Sequence, residues 1–559
     1  MKRFFNAVLS AAVVPLLFSA CSLDERMTSY ATAETYYKSA DECRTGINGC
    51  YSPLRVIYGG NSFFFMTEVA TDVMYYPYDG LYDAVCDISP VRAGIGKTVW
   101  QQGYIGVMRC NDVYAAVERA AAEGLVTERE CEEMLAEIAV MRAFYYYVLT
   151  ATFGDVPRYF ERVTEENRAA IARLPRMSAV ETRSIIIEDL KRRLMPATEE
   201  HPERRCVLPL ERTYDNEAHR AGAALGLMLA GKMCMWNEQW SDAVEIYGVL
   251  EEIYGLGAGV DPEAALAQYP LSDVPFGRKY TRESIFEVSN AAEDYGMQVT
   301  GTLATWCTPL RSQAVTSDDT GGSGQRSDIY NGISIPELGD NSRTYTSMRP
   351  TPYYYQDLMP RGSEDRRRAK YDEKGNELDS SGNLAWSWWG YDTSDTEHLN
   401  LKFKNFATVT SAFTGTPWLG NKFWCFGMNN TRDSNNYKIF RYAGALLNLA
   451  EAHYGLGDYG EACRYLNAVR SRAGLGSVEA DDPKYLISEI RNEYARELFG
   501  EYHRKFDLVR WGIWYEQTRN CTASPALLRY IKPYMKYYPI PAEQITYSGG
   551  ALNNDDYNE

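Results

Sequence analysis

Acids and bases recur every three or four positions late in the chain, at Glu493, Glu497, Glu501, Arg504 and Asp507, within the string ISEIRNEYARELFGEYHRKFDLVRWG (487–512). The string reads as one long helix, and in a helix this spacing places acid beside base on successive turns of one face. Paired carboxylates could serve general acid–base chemistry, for which one of them must be held protonated near neutrality. Neighbouring arginines do the opposite and keep carboxylates ionised. The pattern therefore predicts an ion-pair ladder that fastens the helix to its scaffold, and no catalytic role is assigned to it. Other catalytic signatures are missing from the sequence. No GxSxG elbow, Walker A loop or dinucleotide-binding GxGxxG occurs. The 5 His are scattered, without HExxH, and the 12 Cys include no CxxC, so neither a metal nor a cofactor is expected. Cys43 and Cys50 are two helical turns apart, about 10 Å along the axis, too far for a bridge. A glycosidase would need only two carboxylates, and among 75 acids nothing singles out a pair.

The elements that must position any site are helices. SADE (39–42) and SAVE (178–181) read as capping boxes that open helices. In CEEMLAEIAVMRAFYYYVLTATFGDVP, Leu135, Ile138, Ala139, Tyr145 and Leu149 form an apolar stripe. Arg142 lies in the same sector and, once buried, calls for helix termini or carboxylates as partners. Two stretches have tetratricopeptide-like spacing of small and large residues: Leu227, Ala230, Gly231, Ala243 and Tyr247 in one, and Leu446, Leu449, Ala450, Ala462 and Leu466 in the other. Gly457-Asp458-Tyr459 makes the turn of the second pair. Some two hundred residues separate them, so a fixed-period repeat protein is not indicated. From 257 to 430 the composition is that of loops and short strands, with six of the 11 tryptophans. Long irregular segments of this kind tend to lie over a rigid scaffold and to carry function.

Net charge is −17, which argues against a nucleic-acid backbone as partner. At the N-terminus Lys2 and Arg3 precede an apolar run too short to span a bilayer comfortably. LFSAC follows and resembles a bacterial lipobox, which makes residues 1–20 a signal peptide and Cys21 the lipidated residue. Ser22-Leu23-Asp24-Glu25 resembles the surface-export signal of lipoproteins in the Bacteroidetes. No other run reads as long and apolar enough to cross a membrane.

Several of these strings occur together in one family. The lipobox with SLDE, WQQGYIGVMRCND, AEIAVMRAFYYYVLTATFGDVP, ESIFEVS, RYAGALLNLAEA, the charged 487–512 string and YYPIPAEQI follow the order seen in the SusD/RagB family, which the chain resembles nearly end to end. It departs at Tyr494 and Tyr502, where members more often have Arg and Gly, and its tail LNNDDY matches only loosely. The resemblance implies a mainly α fold, a tetratricopeptide-like helical-pair scaffold with an irregular, loop-rich, short-strand middle region. The expected organisation is a signal peptide (1–20), a helical part (21–256) carrying a ligand loop at 59–96, the irregular region (257–430), and a C-terminal helical pair with the charged helix (431–559).

The resemblance also implies a function: a surface-exposed lipoprotein of the outer membrane that binds an oligosaccharide without turnover and delivers it to a SusC-like TonB-dependent transporter. Sugar binding needs flat rings against the apolar C–H faces of pyranoses, rimmed by polar groups. The candidates are Tyr75, Tyr76, Tyr78 and Tyr82 from the ligand loop and Trp306, Trp386, Trp388 and Trp389 from the irregular region, with Asp79, Asp83 and Arg326 as polar partners. Trp388 and Trp389 are adjacent, so in an extended strand only one of them faces a ligand. Taken singly, a ring of this kind is more often packing than ligand contact. A surface glycoside hydrolase, a peptide-binding member of the family, and a repeat scaffold that binds only proteins stay open as alternatives.

Overall fold

Small residues at helix crossings set this architecture. In the computed structural model, which describes residues 36–76, 89–209, 220–255, 257, 259–290, 301–307, 329–330, 333–334, 348–360, 363–367, 370–371, 377–378, 421–423, 425 and 433–557, successive helices pack side by side. They are α1 (Ala40–Tyr58), α2 (Ile95–Ala122), α3 (Glu128–Phe153), α4 (Ala179–Leu194), α5 (Ala223–Asn237), α6 (Trp240–Tyr254), α7 (Tyr442–Leu456), α8 (Tyr459–Arg472) and α9 (Pro483–Glu497). Each packs on the next in this order. The two tetratricopeptide-like pairs, α5–α6 and α7–α8, are thus distant in sequence but adjacent in space, joined through α6 and α7. A Cβ at Gly231 would lie 2.4 Å from the Tyr247 ring, and one at Gly106 2.3 Å from Tyr145, so close approach requires glycine at both places.

Local sequence explains the helix boundaries with two adjustments. Ser39 and Ser178 accept from the N–H of Glu42 and Glu181, each at 3.3 Å. Neither glutamate completes a capping box, because Glu42 takes the Lys38 N–H and Glu181 turns to Arg158. The complete box is Thr127–Glu130 at the start of α3. Gly457, at φ +80°, ends α7, and the Asp458 side chain caps α8. Contrary to the sequence reading, one further helix, α3, is apolar and long enough to cross a membrane, but 94% of its apolar stretch is buried inside the protein. Arg142 on α3 finds no carboxylate. It donates to Asn111 Oδ1 at 2.9 Å and lies over the rings of Phe160 and Tyr114, so amide and π faces stand where carboxylates were expected.

The expected long helix over 487–512 is two helices. α9 stops at Glu497 and α10 (Arg504–Arg510) begins after a short turn, in which Gly500 at φ +78° and Tyr502 at φ +67° reverse the chain. A left-handed φ favours glycine. Tyr502 holds it because its ring packs against Tyr58 at 5.1 Å and Phe64 at 5.3 Å.

Strands among the described residues are short and paired two by two. β1 (Met74–Tyr75) runs antiparallel to β3 (Arg349–Pro350), with Tyr75 opposite Arg349. β2 (Ser284–Val288) runs antiparallel to β4 (Tyr437–Arg441), with Val288 opposite Tyr437 and Ser284 opposite Arg441. Two two-residue hairpins, Ile329–Tyr330 with Ile333–Ser334 and Lys370–Tyr371 with Glu377–Leu378, complete the described strands. The hydrophobic core is continuous from Cys43 to Tyr557 and draws on both ends of the chain.

Candidate functional site

The stretch expected to carry a ligand loop, 59–96, starts as a core element. Phe63, Phe64 and Phe65 are buried in a short helix, Asn61–Phe64, that runs into a π-helical turn, Phe65–Val69. The extra residue in a π turn re-aims the side chains that follow, and here it points Glu68 and Asp72 at the turn between α9 and α10. Glu68 accepts the N–H groups of Gly500, His503 and Arg504 at 3.1, 2.8 and 3.2 Å. Burial pushes its carboxyl up to about 8 in spite of these three donors. Asp72 receives Arg504 in a two-pronged pair at 2.8 and 2.6 Å. The C-terminal segment thereby sets the floor on which the aromatic loop stands.

On that floor two candidate rings meet a third. Tyr76 meets Phe65 edge-on at 5.4 Å, and Trp306 meets the same Phe65 at 6.4 Å and 85°. Trp306 belongs to the short helix Leu303–Cys307, whose Ala304 N–H bonds Asp433 at 2.9 Å. The Trp306 carbonyl accepts from Met348 N–H at 3.1 Å, beside β3. Trp306 is half-buried and presents part of its ring, Tyr76 is 9% exposed, and Tyr75, at 2%, is enclosed in the β1–β3 ladder. Tyr75 offers no ring face to a ligand, because it is buried where β1 pairs with β3. Tyr78, Asp79, Tyr82, Asp83, Arg326, Trp386, Trp388, Trp389 and the lipidation candidate Cys21 lie outside the described residues.

The sequence reading missed Tyr355. It sits half-buried on the π-helical stretch Tyr353–Leu358 that follows β3, its hydroxyl accepting from Gln356 at 3.3 Å. Burial, then the neighbouring Tyr75, raises its pKa. The signal was the run Tyr353-Tyr354-Tyr355 in the irregular region. Tyr354 is the anchor of that run, stacked on Phe499 at 4.1 Å.

Under this site the charges form a buried network. Arg441 bonds Glu283 at 2.7 Å, Glu497 at 2.6 Å and Glu501 at 2.9 Å. Arg367 bonds Asp365 at 2.7 Å, Glu493 at 2.6 Å and Glu497 at 2.7 Å. Arg472 reaches Glu283 and Glu497, and Lys422 bonds Glu501 at 2.7 Å. The acids of the 487–512 string are therefore paired, as expected: Glu493 and Asp507 also meet Arg496 and Arg510 one turn on, whereas Glu497 and Glu501 take their bases from distant segments, because the helix breaks after Glu497. These carboxylates are closed off from solvent and held by guanidinium groups, which fits a clasp and suits no proton transfer to a ligand. Among the described residues no group of three or more His, Cys, Asp or Glu is arranged to hold a metal ion.

Residues 282–557 match the model of the SusD family, and residues 66–206 match a second model described as starch-binding, associating with the outer membrane. SusD-like protein P25 of Formosa agariphila is 23% identical over 97% of both chains. Among solved structures, surface glycan-binding protein A from Bacteroides uniformis aligns with TM-score 0.64 at 20% identity, covering 93% of this chain and 100% of that one. Surface glycan-binding protein A from Bacteroides thetaiotaomicron, in complex with laminarihexaose, aligns with TM-score 0.63 at 21% identity, covering 92% and 99%.

Proposed function

The chain belongs to the SusD family, and from that premise we propose that it is a surface lipoprotein that captures an oligosaccharide and passes it to a TonB-dependent outer-membrane transporter. The observation that carries this reading is the convergence of Tyr76 and Trp306 on Phe65 from two segments far apart in sequence. A partly exposed indole on a rigid aromatic base offers the apolar face that a pyranose asks for. The names of the structural relatives as glycan-binding proteins support it.

Binding without turnover is the reading favoured by the carboxylates near the cluster. Glycosidic cleavage needs an accessible acid and a second carboxylate across the sugar. Glu68 has the raised pKa of an acid, yet it is fully buried with both oxygens engaged, and Asp72 is committed to Arg504. Membrane attachment is assigned to a lipid on Cys21.

The test is a calorimetric titration of the lipid-free protein against a panel of neutral oligosaccharides, laminari-oligosaccharides included. Trp306→Ala should weaken binding by about tenfold or more, the loss of one stacking ring and its desolvated contact, in a variant that still melts cooperatively, though at a lower temperature because the ring also packs on Phe65. Binding untouched by this substitution would remove the cluster from the site, and new reducing ends at catalytic rates would replace capture by hydrolysis. Co-purification of the native lipoprotein with a transporter tests the delivery step.

A further inference from the structure

A cavity of about 280 Å³ lies between α1 and β2 and shares no lining residue with the aromatic cluster. Asn48, Tyr51 and Arg55 recur at three- and four-residue steps on α1, so a single helix face forms one wall. Leu54, Phe286 and Val288, all buried, supply an apolar floor. Arg220 and Glu287 close the polar side.

The charged groups around this cavity are not all paired. Arg220 donates to Asn48 Oδ1 at 2.7 Å and to Glu137 at 2.8 Å, and the Tyr51 hydroxyl donates to Glu137 as well. Glu287 is satisfied by the Ser284 hydroxyl, the Tyr280 N–H at 3.0 Å and the Asn436 amide at 2.9 Å. Arg55 is the exception. Its side chain makes no hydrogen bond or ion pair with any described residue, and its Nε is buried without a partner. Burial also lowers its pKa, the mark of a cation held in apolar surroundings. An unpaired, partly desolvated guanidinium is costly, and its flat fork of donors matches a carboxylate better than it matches any neutral group.

We propose that this cavity is a second ligand subsite that takes one uronic acid residue, its carboxylate paired with Arg55 and the C–H face of its ring on Leu54 and Phe286. The sugar ring rests on the saccharide-capture reading above, whereas the carboxylate follows from Arg55 alone. The satisfied Glu287 on the opposite wall disfavours a second negative charge, so the subsite is built for a single anionic group.

The experiment compares methyl β-glucuronide with methyl β-glucoside on the lipid-free full chain, by saturation-transfer NMR and calorimetry. The glucuronide should bind at least about tenfold tighter than the glucoside, the difference one charge-assisted bidentate pair makes. Arg55→Gln should abolish that preference, Arg55→Lys should restore part of it, and Trp306→Ala should leave it unchanged. Equal binding of the two glycosides, no glucuronide binding, or an Arg55→Gln variant with native melting temperature and undiminished preference would each overturn the subsite. Should neutral oligosaccharides still bind through Trp306 in that event, the capture reading survives alone. A glucuronide preference through Arg55 with no neutral glycan bound would retain the subsite and remove the Trp306 site.

Discussion

Glu497 touches three guanidinium groups, those of Arg367, Arg441 and Arg472, at the centre of the buried network. Burial alone would raise its pKa, but Arg441, Arg472 and Arg367 outweigh it and hold the carboxyl well below the usual range. Removing one partner from such a network leaves buried charge uncompensated. Glu497→Gln should therefore destabilise by about 3–5 kcal/mol, read as a lower urea midpoint with unchanged slope. His503 makes one contribution to the pH dependence. Its ring is buried, its Nε2–H donates to the Ile439 carbonyl, and burial, aided by Lys232, lowers its pKa from 6.5 to about 4. Between those values the unfolded chain binds the proton and the folded one does not, so stability is fully present above pH 6.5 and is lost as pH falls toward 4. The loss from this group is on the order of 3 kcal/mol. Glu68, whose folded pKa is raised, contributes with the opposite sign over this window, so the check is a difference: between about pH 7 and about pH 4.5 the native chain should lose stability relative to His503→Gln in urea titrations.

At the scale of elements, glycine separates two kinds of helix position. Gly231 and Gly106 lie where α5 meets the Tyr247 ring of α6 and where α2 meets the Tyr145 ring of α3, and neither crossing has room for a methyl group. Gly231→Ala or Gly106→Ala should cost about 1–3 kcal/mol by overpacking. At Gly248, inside α6, an added Cβ would have nothing within 4 Å, so Gly248→Ala should stabilise by about 1 kcal/mol through helix propensity. Thermal denaturation of the three variants checks both signs at once. The turn between α9 and α10 follows the same logic. A Cβ at Gly500, already at φ +78°, would meet Phe423 at 2.4 Å, so this turn depends on glycine for its conformation and for its packing.

For the whole molecule, the C-terminal segment completes the scaffold and also carries the ligand loop. α6 packs on α7, the Asn448 amide donates to the Tyr247 hydroxyl at 2.9 Å, and Glu68 and Asp72 are held by the turn at 500–504. A fragment that stops at residue 430 would leave the apolar face of α6 and the carboxylates of Glu68 and Asp72 without partners. It should lack near-UV circular dichroism and be cut rapidly by protease; a cooperative melt of that fragment would show that the two parts fold separately.

Helix pairs, the small-residue crossing at Gly231, the caps at Ser39 and Ser178 and the family were legible in the amino-acid sequence, because periodicity and capping are properties of neighbours a few residues apart. Leu446, Leu449, Ala450, Gly457 and Asp458 announced α7 and its turn by spacing alone. The partners of charges and rings were not legible. Arg142 was expected to find helix termini or carboxylates and found Asn111, the Phe160 carbonyl and two aromatic faces; Glu497 was expected to help fasten its helix to the scaffold, but spacing could not name Arg367, Arg441 and Arg472 as its partners. Nor could spacing show that Tyr75 would be enclosed while Trp306 stays half-exposed, since strand pairing with residues far along the chain decides it. Local patterns encode which helices form, whereas the site and its charge balance are long-range contacts, and only tertiary packing determined that Tyr76, Phe65 and Trp306 would meet and that Arg55 would be left facing a cavity.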